Sequence, residues 1–194
     1  MAEGRIAYMN KSSAFAIWIT GLPASGKSTI TAALQPRLEA AGLLVEVLES
    51  DVLRRILTPS PSYSDDERDL FYRALAFTGS RLVAHGITVI FDATATKQVH
   101  RTFARNLIGR FVEVAVECPL DVCMARDTKG TYRKGLAGES KTVPGLQTPY
   151  ESPQNPDVRI DSVHTSTAVA AERILAVLCG YGFVSTAVKK LSDG

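Results

Sequence analysis

Apolar residues fall along this chain in two rhythms. Short runs with few polar interruptions, AFAIWIT at 14–20, LLVEVL at 43–48, ITVIF at 87–91 and FVEVAVE at 111–117, read as strands, the densest of them buried on both faces. The segments between them carry helical spacing. Residues 27–41 put Ile30, Leu34 and Leu38 on one face, and Gly42 is set to end that helix. A short helix at 51–57 stops at the loop 58–64, whose prolines and serines oppose regular pairing. Ser64 then opens a long helix: its hydroxyl can cap the first turn, Asp65, Asp66 and Glu67 lie at the positive end of the dipole, and Gly86 closes it. Further helices are predicted at 97–107, 119–126 and 165–178, and a last strand at 158–160.

Strands alternating with helices predict a parallel sheet with right-handed crossovers and helices on both faces, an α/β three-layer sandwich. Residues 129–155 break the rhythm, being rich in Gly, Pro, Lys and Ser with little apolar periodicity, and are predicted to form a mobile lid. The domain is expected over 14–183, with an N-terminal extension at 1–13 and a C-terminal tail at 184–194. Composition changes this picture little. A length of 194 residues, 45% hydrophobic and 22% charged, suits one compact domain. A net charge of +2 argues against nucleic acid or an anionic membrane as the main partner. The first residues are short of apolar length for a secretory signal, and no run reaches the roughly twenty apolar residues a membrane span needs, so a cytoplasmic protein is expected. Cys118, Cys123 and Cys179 form neither a disulfide framework nor a metal knuckle and are expected to be buried, inert thiols. His85, His100 and His164 lack metal-ligand spacing, so zinc is not implied.

The chemistry begins where the first strand ends. Gly21, Leu22, Pro23, Ala24, Ser25, Gly26, Lys27, Ser28 and Thr29 satisfy the phosphate-loop pattern, and they stand between a buried strand and a helix start, as that motif requires. Its glycines let main-chain N–H groups turn inward around a β-phosphate, and the helix dipole adds to the attraction. Lys27 then reaches the β- and γ-phosphates, and the Ser28 hydroxyl can ligate Mg²⁺. ATP is therefore the expected donor, with a small hydroxyl acceptor as its partner. Asp51 lies just past the second strand, at the edge where ligands of parallel sheets collect, and suits the metal or the proton of an attacking hydroxyl. Asp92 ends an apolar strand as a Walker B acid does, and competes with Asp51 for the same roles. Arg54, Arg55, Arg68 and Arg73 follow elements that end near that edge and suit phosphate or sulfate recognition. Arg126, Lys129, Arg133 and Lys134 open the predicted lid, where closure would bring charge onto the transferring group and expel water.

These residues resemble the adenylyl-sulfate kinases, P-loop enzymes that phosphorylate the ribose 3′-hydroxyl of adenylyl sulfate. The resemblance runs from about residue 17 to 162, and VEVAVECPLDVCMARDTKGTYRKGLAGE followed by VPGLQTPYESPQNPD carries its most specific part. It implies that Asp51 lies near Mg²⁺ and the attacking hydroxyl, that Arg54, Arg68 and the lid residue Lys129 hold the acceptor, and that Tyr63 and Tyr150 sandwich its adenine. It further implies that Arg126 flanks the adenine of ATP, and that the protein forms a homodimer. The departures gather on the acceptor side. The box that carries Asp51 reads Glu49-Ser50-Asp51-Val52 without its usual asparagine. Phe71 replaces another asparagine, Ala93-Thr94-Ala95-Thr96 and Gln98 replace Phe-Ile-Ser-Pro and an arginine, and Asp92 replaces a small residue. Each polar partner lost is worth about 1–3 kcal/mol. The altered strand end keeps open a different acceptor, a nucleotide-linked metabolite, another small molecule or a polynucleotide 5′-hydroxyl, and beyond that a non-catalytic ATP-binding module.

Overall fold

The computed structural model describes residues 14–185. Five strands, β1 (Ala16–Thr20), β2 (Val45–Glu49), β3 (Thr88–Asp92), β4 (Phe111–Glu117) and β5 (Val158–Asp161), form one parallel sheet in the order β2-β3-β1-β4-β5. Seven helices join or follow them: α1 (Lys27–Ala40), α2 (Ser50–Leu57), α3 (Asp65–Ala84), α4 (Gln98–Ile108), α5 (Leu120–Ala125), α6 (Thr131–Leu136) and α7 (Thr167–Gly180).

The three layers follow from the alternation within β1. Phe15, Ile17 and Ile19 face a core shared with Leu34 and Leu38 of α1 and Ile174 and Leu178 of α7. Ala16 and Trp18 face the opposite core, with Tyr72 and Leu75 of α3, Phe91 of β3 and Ala104 of α4. Trp18 stacks on Phe91 at 4.6 Å, and its indole N–H donates to the carbonyl of Ala93 at 3.0 Å. α3 approaches that face so closely that a Cβ on Gly79 would stand 2.2 Å from the Phe91 ring. The chain first builds β2 and β3 on one side of β1, then crosses to β4 and β5 on the other. That reversal opens a crevice at the carboxyl ends of the strands.

The three-layer α/β sandwich agrees with the sequence, and most predicted elements differ by one or two residues at their ends. Ser64 caps α3, accepting from the Glu67 N–H at 3.3 Å, as its position predicted. Three expectations are corrected. The predicted lid, for which no helix was expected, contains α6. That helix has no hydroxyl at its N-cap; the Asp127 carboxylate instead accepts from the N–H groups of Thr131 (2.8 Å), Tyr132 (2.7 Å) and Arg133 (3.1 Å). Tyr132 is buried with Cys123 and Val143 in a small third cluster, and its hydroxyl donates to the Pro23 carbonyl. Second, only Cys123 is fully buried; Cys118 and Cys179 are half-exposed. Burial, followed by the neighbouring Cys118, pushes the Cys123 thiol up to about 12. Third, Val184 packs into the main core, so the domain reaches past residue 183. The expected extension at 1–13 and nearly all of the expected tail lie outside the described residues. Among the described residues no helix is long and apolar enough to cross a membrane.

Candidate functional site

The loop between β1 and α1 takes its shape from tight backbone turns. Gly21 presses against β4, where a Cβ would meet the Val116 carbonyl oxygen at 2.6 Å, and Gly26 enters α1 with φ of +104°. Ser25 is buried beneath the loop, whereas Ser28 and Thr29 are exposed at the helix start. The Lys27 ammonium folds back to the carbonyls of Gly21 (3.2 Å) and Leu22 (2.9 Å). Burial lowers its pKa from the ordinary lysine value; Asp92 first, and then Asp51, oppose the shift.

A cleft of about 1050 Å³ opens above the loop and collects most of the residues expected at the site. Pro23, Ala24, Gly26, Lys27, Ser28 and Thr29 form its donor end; Arg126 and Ser162 stand beside them, the guanidinium 3.4 Å from the Ser162 carbonyl oxygen. Asp51, Arg54, Tyr63, Arg68, Asp92 and Lys129 also line it. Gly21, Leu22 and Ser25 do not line the cleft, and the Leu22 side chain packs against the Tyr132 cluster.

The acceptor end is held by α2 and α3. Arg54 is 8% exposed; it donates to Glu67 at 3.1 Å and lies over the Phe71 ring at 3.9 Å. Its second terminal nitrogen, Nη2, is buried with no hydrogen-bond partner among the described residues. Phe71, which stands where the resemblance expects asparagine, thus serves as the platform for this guanidinium. Arg68 donates to the Tyr63 carbonyl at 3.0 Å and the Thr142 carbonyl at 2.7 Å, tying α3 to the lid. Tyr63 takes a left-handed φ of +54°. Lys129 reaches across from the lid to Asp51 at 2.7 Å, and this hydrogen bond raises the lysine pKa.

Not all expected residues converge. Arg55 and Arg73 are exposed and do not line the cleft; Arg73 lies over the Phe103 ring instead. Of the two later lid cations, Lys134 lines the cleft and Arg133 does not. Tyr150 does not line this cleft with Tyr63 but a second cavity of about 480 Å³. Its hydroxyl pairs with the Thr20 hydroxyl at 3.1 Å, and its ring lies under Arg101.

The sequence pattern gave no notice of Arg101. This side chain is wholly buried on α4, where it donates to Glu113 of β4 (2.7 Å), Gln98 (2.6 Å), the Glu151 carbonyl (2.6 Å) and the Ala95 carbonyl. Trp18, Thr20 and the Glu151 N–H bind the neighbouring carbonyls of Ala93, Thr94 and Thr96. The divergent segment 93–96 is therefore clamped at every carbonyl, with Ala95 at φ of +43° and Thr94 lining the cleft. The only signal available in sequence was an arginine on the predicted helix and a glutamate inside a strand, twelve residues apart.

Residues 13–161 match the family model described as adenylylsulphate kinase. The adenylyl-sulfate kinase of Microcystis aeruginosa is 39% identical over 172 residues, 89% of this chain and 95% of that protein. A probable adenylyl-sulfate kinase of Archaeoglobus fulgidus is 43% identical over 148 residues, 76% of this chain and 96% of that protein. Among solved structures, the Mycobacterium tuberculosis APS kinase CysC in complex with AMPPNP and APS superposes with a TM-score of 0.80 at 32% identity, covering 85% of this chain and 97% of that one.

Proposed function

Since the chain belongs to the adenylylsulphate kinase family, we propose that it transfers the γ-phosphoryl group of ATP to the ribose 3′-hydroxyl of adenylyl sulfate. One observation carries the reading: a single cleft joins the phosphate loop to Arg54, a guanidinium suited to an anionic acceptor whose Nη2 has no hydrogen-bond partner among the described residues. In this proposal the loop amides and Lys27 hold the β- and γ-phosphates, and Arg126 borders the adenine of ATP. Arg54 and Arg68 hold the phosphosulfate, and Tyr63 supplies a ring for the acceptor base. Tyr150 takes no part, because its ring belongs to the second cavity.

Ser28 and the carboxylates of Asp51 and Asp92 fit Mg²⁺, which favours hard oxygen donors and is commonly held by one or two carboxylates together with substrate phosphates. When bound, it neutralises charge on the phosphates. The chain's own contribution is to align the acceptor hydroxyl in line with the γ-phosphate, with a carboxylate to accept its proton, and to exclude water as the lid residues Lys129, Lys134 and Thr142 border the cleft. The proposed setting is the cytoplasm, as a homodimer, and analytical ultracentrifugation checks the assembly.

The test is a coupled ADP-release assay with adenylyl sulfate beside other hydroxyl acceptors, followed by identification of the phosphorylated position. Release that depends on adenylyl sulfate and yields the 3′-phosphate is expected. ADP release indifferent to adenylyl sulfate would overturn the proposal.

A further inference from the structure

The two carboxylates at the site stand in opposite surroundings. Asp51, at the start of α2, is exposed and already paired with Lys129 at 2.7 Å. Asp92 is 6% exposed and lines the cleft, and its carboxylate has neither a hydrogen bond nor an ion pair among the described residues. Lys27, whose pKa the Asp92 charge acts to raise, directs two of its three N–H donors to the carbonyls of Gly21 and Leu22 and makes no hydrogen bond or ion pair with Asp92 among the described residues. A buried carboxylate left without a partner is costly, and it is tolerated where a cation completes it.

Strand order gives the two acids different stations. β3 is hydrogen-bonded directly to β1, with Asp92 in register with Ile19, one residue before the end of β1. β2 lies beyond β3, and Asp51 follows it. With strands about 4.8 Å apart, Asp92 is one strand from the phosphate loop and Asp51 is about two, near 10 Å. Along the sheet edge the sequence is donor loop, Asp92, Asp51, then the arginines of the acceptor end. In-line transfer needs its groups in that order: the cation beside the β- and γ-phosphates, and the proton acceptor beyond the γ-phosphate.

We infer that Asp92 is the carboxylate that holds the divalent cation on the nucleotide, and that Asp51 serves the acceptor hydroxyl instead. This inference rests on the kinase reading above and divides a role which the family resemblance assigns to Asp51 alone. It also gives a chemical reason for the acid at the end of β3, where the resemblance expects a small residue. Asp51 is then free to exchange Lys129 for the hydroxyl proton.

The experiment follows Mn²⁺ by electron paramagnetic resonance as it binds the full chain loaded with a non-hydrolysable ATP analogue, in the parent and in D92N, D92S and D51N. Loss of a group that orients a metal typically costs 10–100-fold in affinity, so D92N and D92S are expected to weaken Mn²⁺ binding by about tenfold or more, with D51N within about twofold of the parent. Without nucleotide, both Asp92 variants should melt no lower than the parent, because an unpartnered buried charge has been removed. Parent-like Mn²⁺ affinity in both Asp92 variants, or an equal loss in D51N, overturns the inference. A lower melting temperature in both Asp92 variants also overturns it, by making the residue structural. The underlying kinase reading fails in a distinguishable way, as absence of nucleotide binding by the parent in calorimetry.

Discussion

At the donor end of the cleft one unbroken stretch, residues 21–29, supplies the loop, the lysine and the hydroxyl. The acceptor end draws on α2, α3 and the lid. The first depends on backbone turns that a few glycines permit. The second depends on packing between distant segments: Arg54 on Phe71, Arg68 between Tyr63 and Thr142, Lys129 on Asp51. The difference shows where specificity can change cheaply. A donor end made of main-chain amides tolerates little variation, whereas side chains on separate elements can be exchanged one at a time. That is where Phe71 and the 93–96 segment differ from what the family resemblance leads one to expect.

Four substitutions break or sharpen this contrast. The largest effect is expected from Lys27→Ala, which should lower kcat for phosphoryl transfer by about 10³-fold or more, as loss of charge stabilisation in a closed site does, with an unchanged circular dichroism spectrum. A loss below tenfold in the ADP-release assay would remove the loop from the chemistry.

Arg101→Ala should act on stability. It leaves Glu113 only the more exposed Arg105 at 3.6 Å, and loss of the buried partner should cost up to about 3–5 kcal/mol, to be read from urea unfolding. Because Arg101 also binds the carbonyls of Ala95 and Glu151, the KM for the acceptor should rise while the KM for ATP stays near the parent value.

Arg54→Lys separates the two ends more gently. A lysine has neither the planar fork nor the stacking face that sits on Phe71, so the acceptor KM should rise about tenfold with little change for ATP. Equal changes in both would show that the two ends are not independent.

The smallest effect belongs to Asp127→Ala, which removes the carboxylate cap of α6 and should cost about 1 kcal/mol in thermal unfolding. Burial acts to raise the Asp127 pKa, but the N–H donors of Arg133, Thr131 and Tyr132 outweigh it and the value is lowered in the folded state. Its stabilising contribution is therefore complete above the unfolded value, about 3.9, and is lost as the pH falls through the lower folded value. The parent and Asp127→Ala should accordingly differ in stability at neutral pH and converge in acid.

The fold was largely readable in advance. Dense apolar runs marked the central strands, and the spacing of Ile30, Leu34 and Leu38 marked the α1 face that enters the core. The weaker readings share one cause. α6 carries little periodicity and no hydroxyl at its N-cap; it forms because Asp127 and the Tyr132 cluster stabilise it. Four arginines near one edge looked alike in sequence, yet Arg54 and Arg68 are buried at the cleft while Arg55 and Arg73 are exposed.

By itself, the sequence determined the order of strands and helices and the position and chemistry of the phosphate loop. Both are written in neighbouring residues, through apolar period and through the backbone freedom of Gly21 and Gly26. Only the tertiary structure decided which arginines meet the cleft, that Tyr150 turns to Thr20, that Arg101 clamps the 93–96 segment, and that the Asp92 carboxylate is buried without an ion pair among the described residues while Asp51 lies open under Lys129. Those outcomes depend on which face of each element packs inward and on partners tens of residues away in the chain, and no local pattern records either.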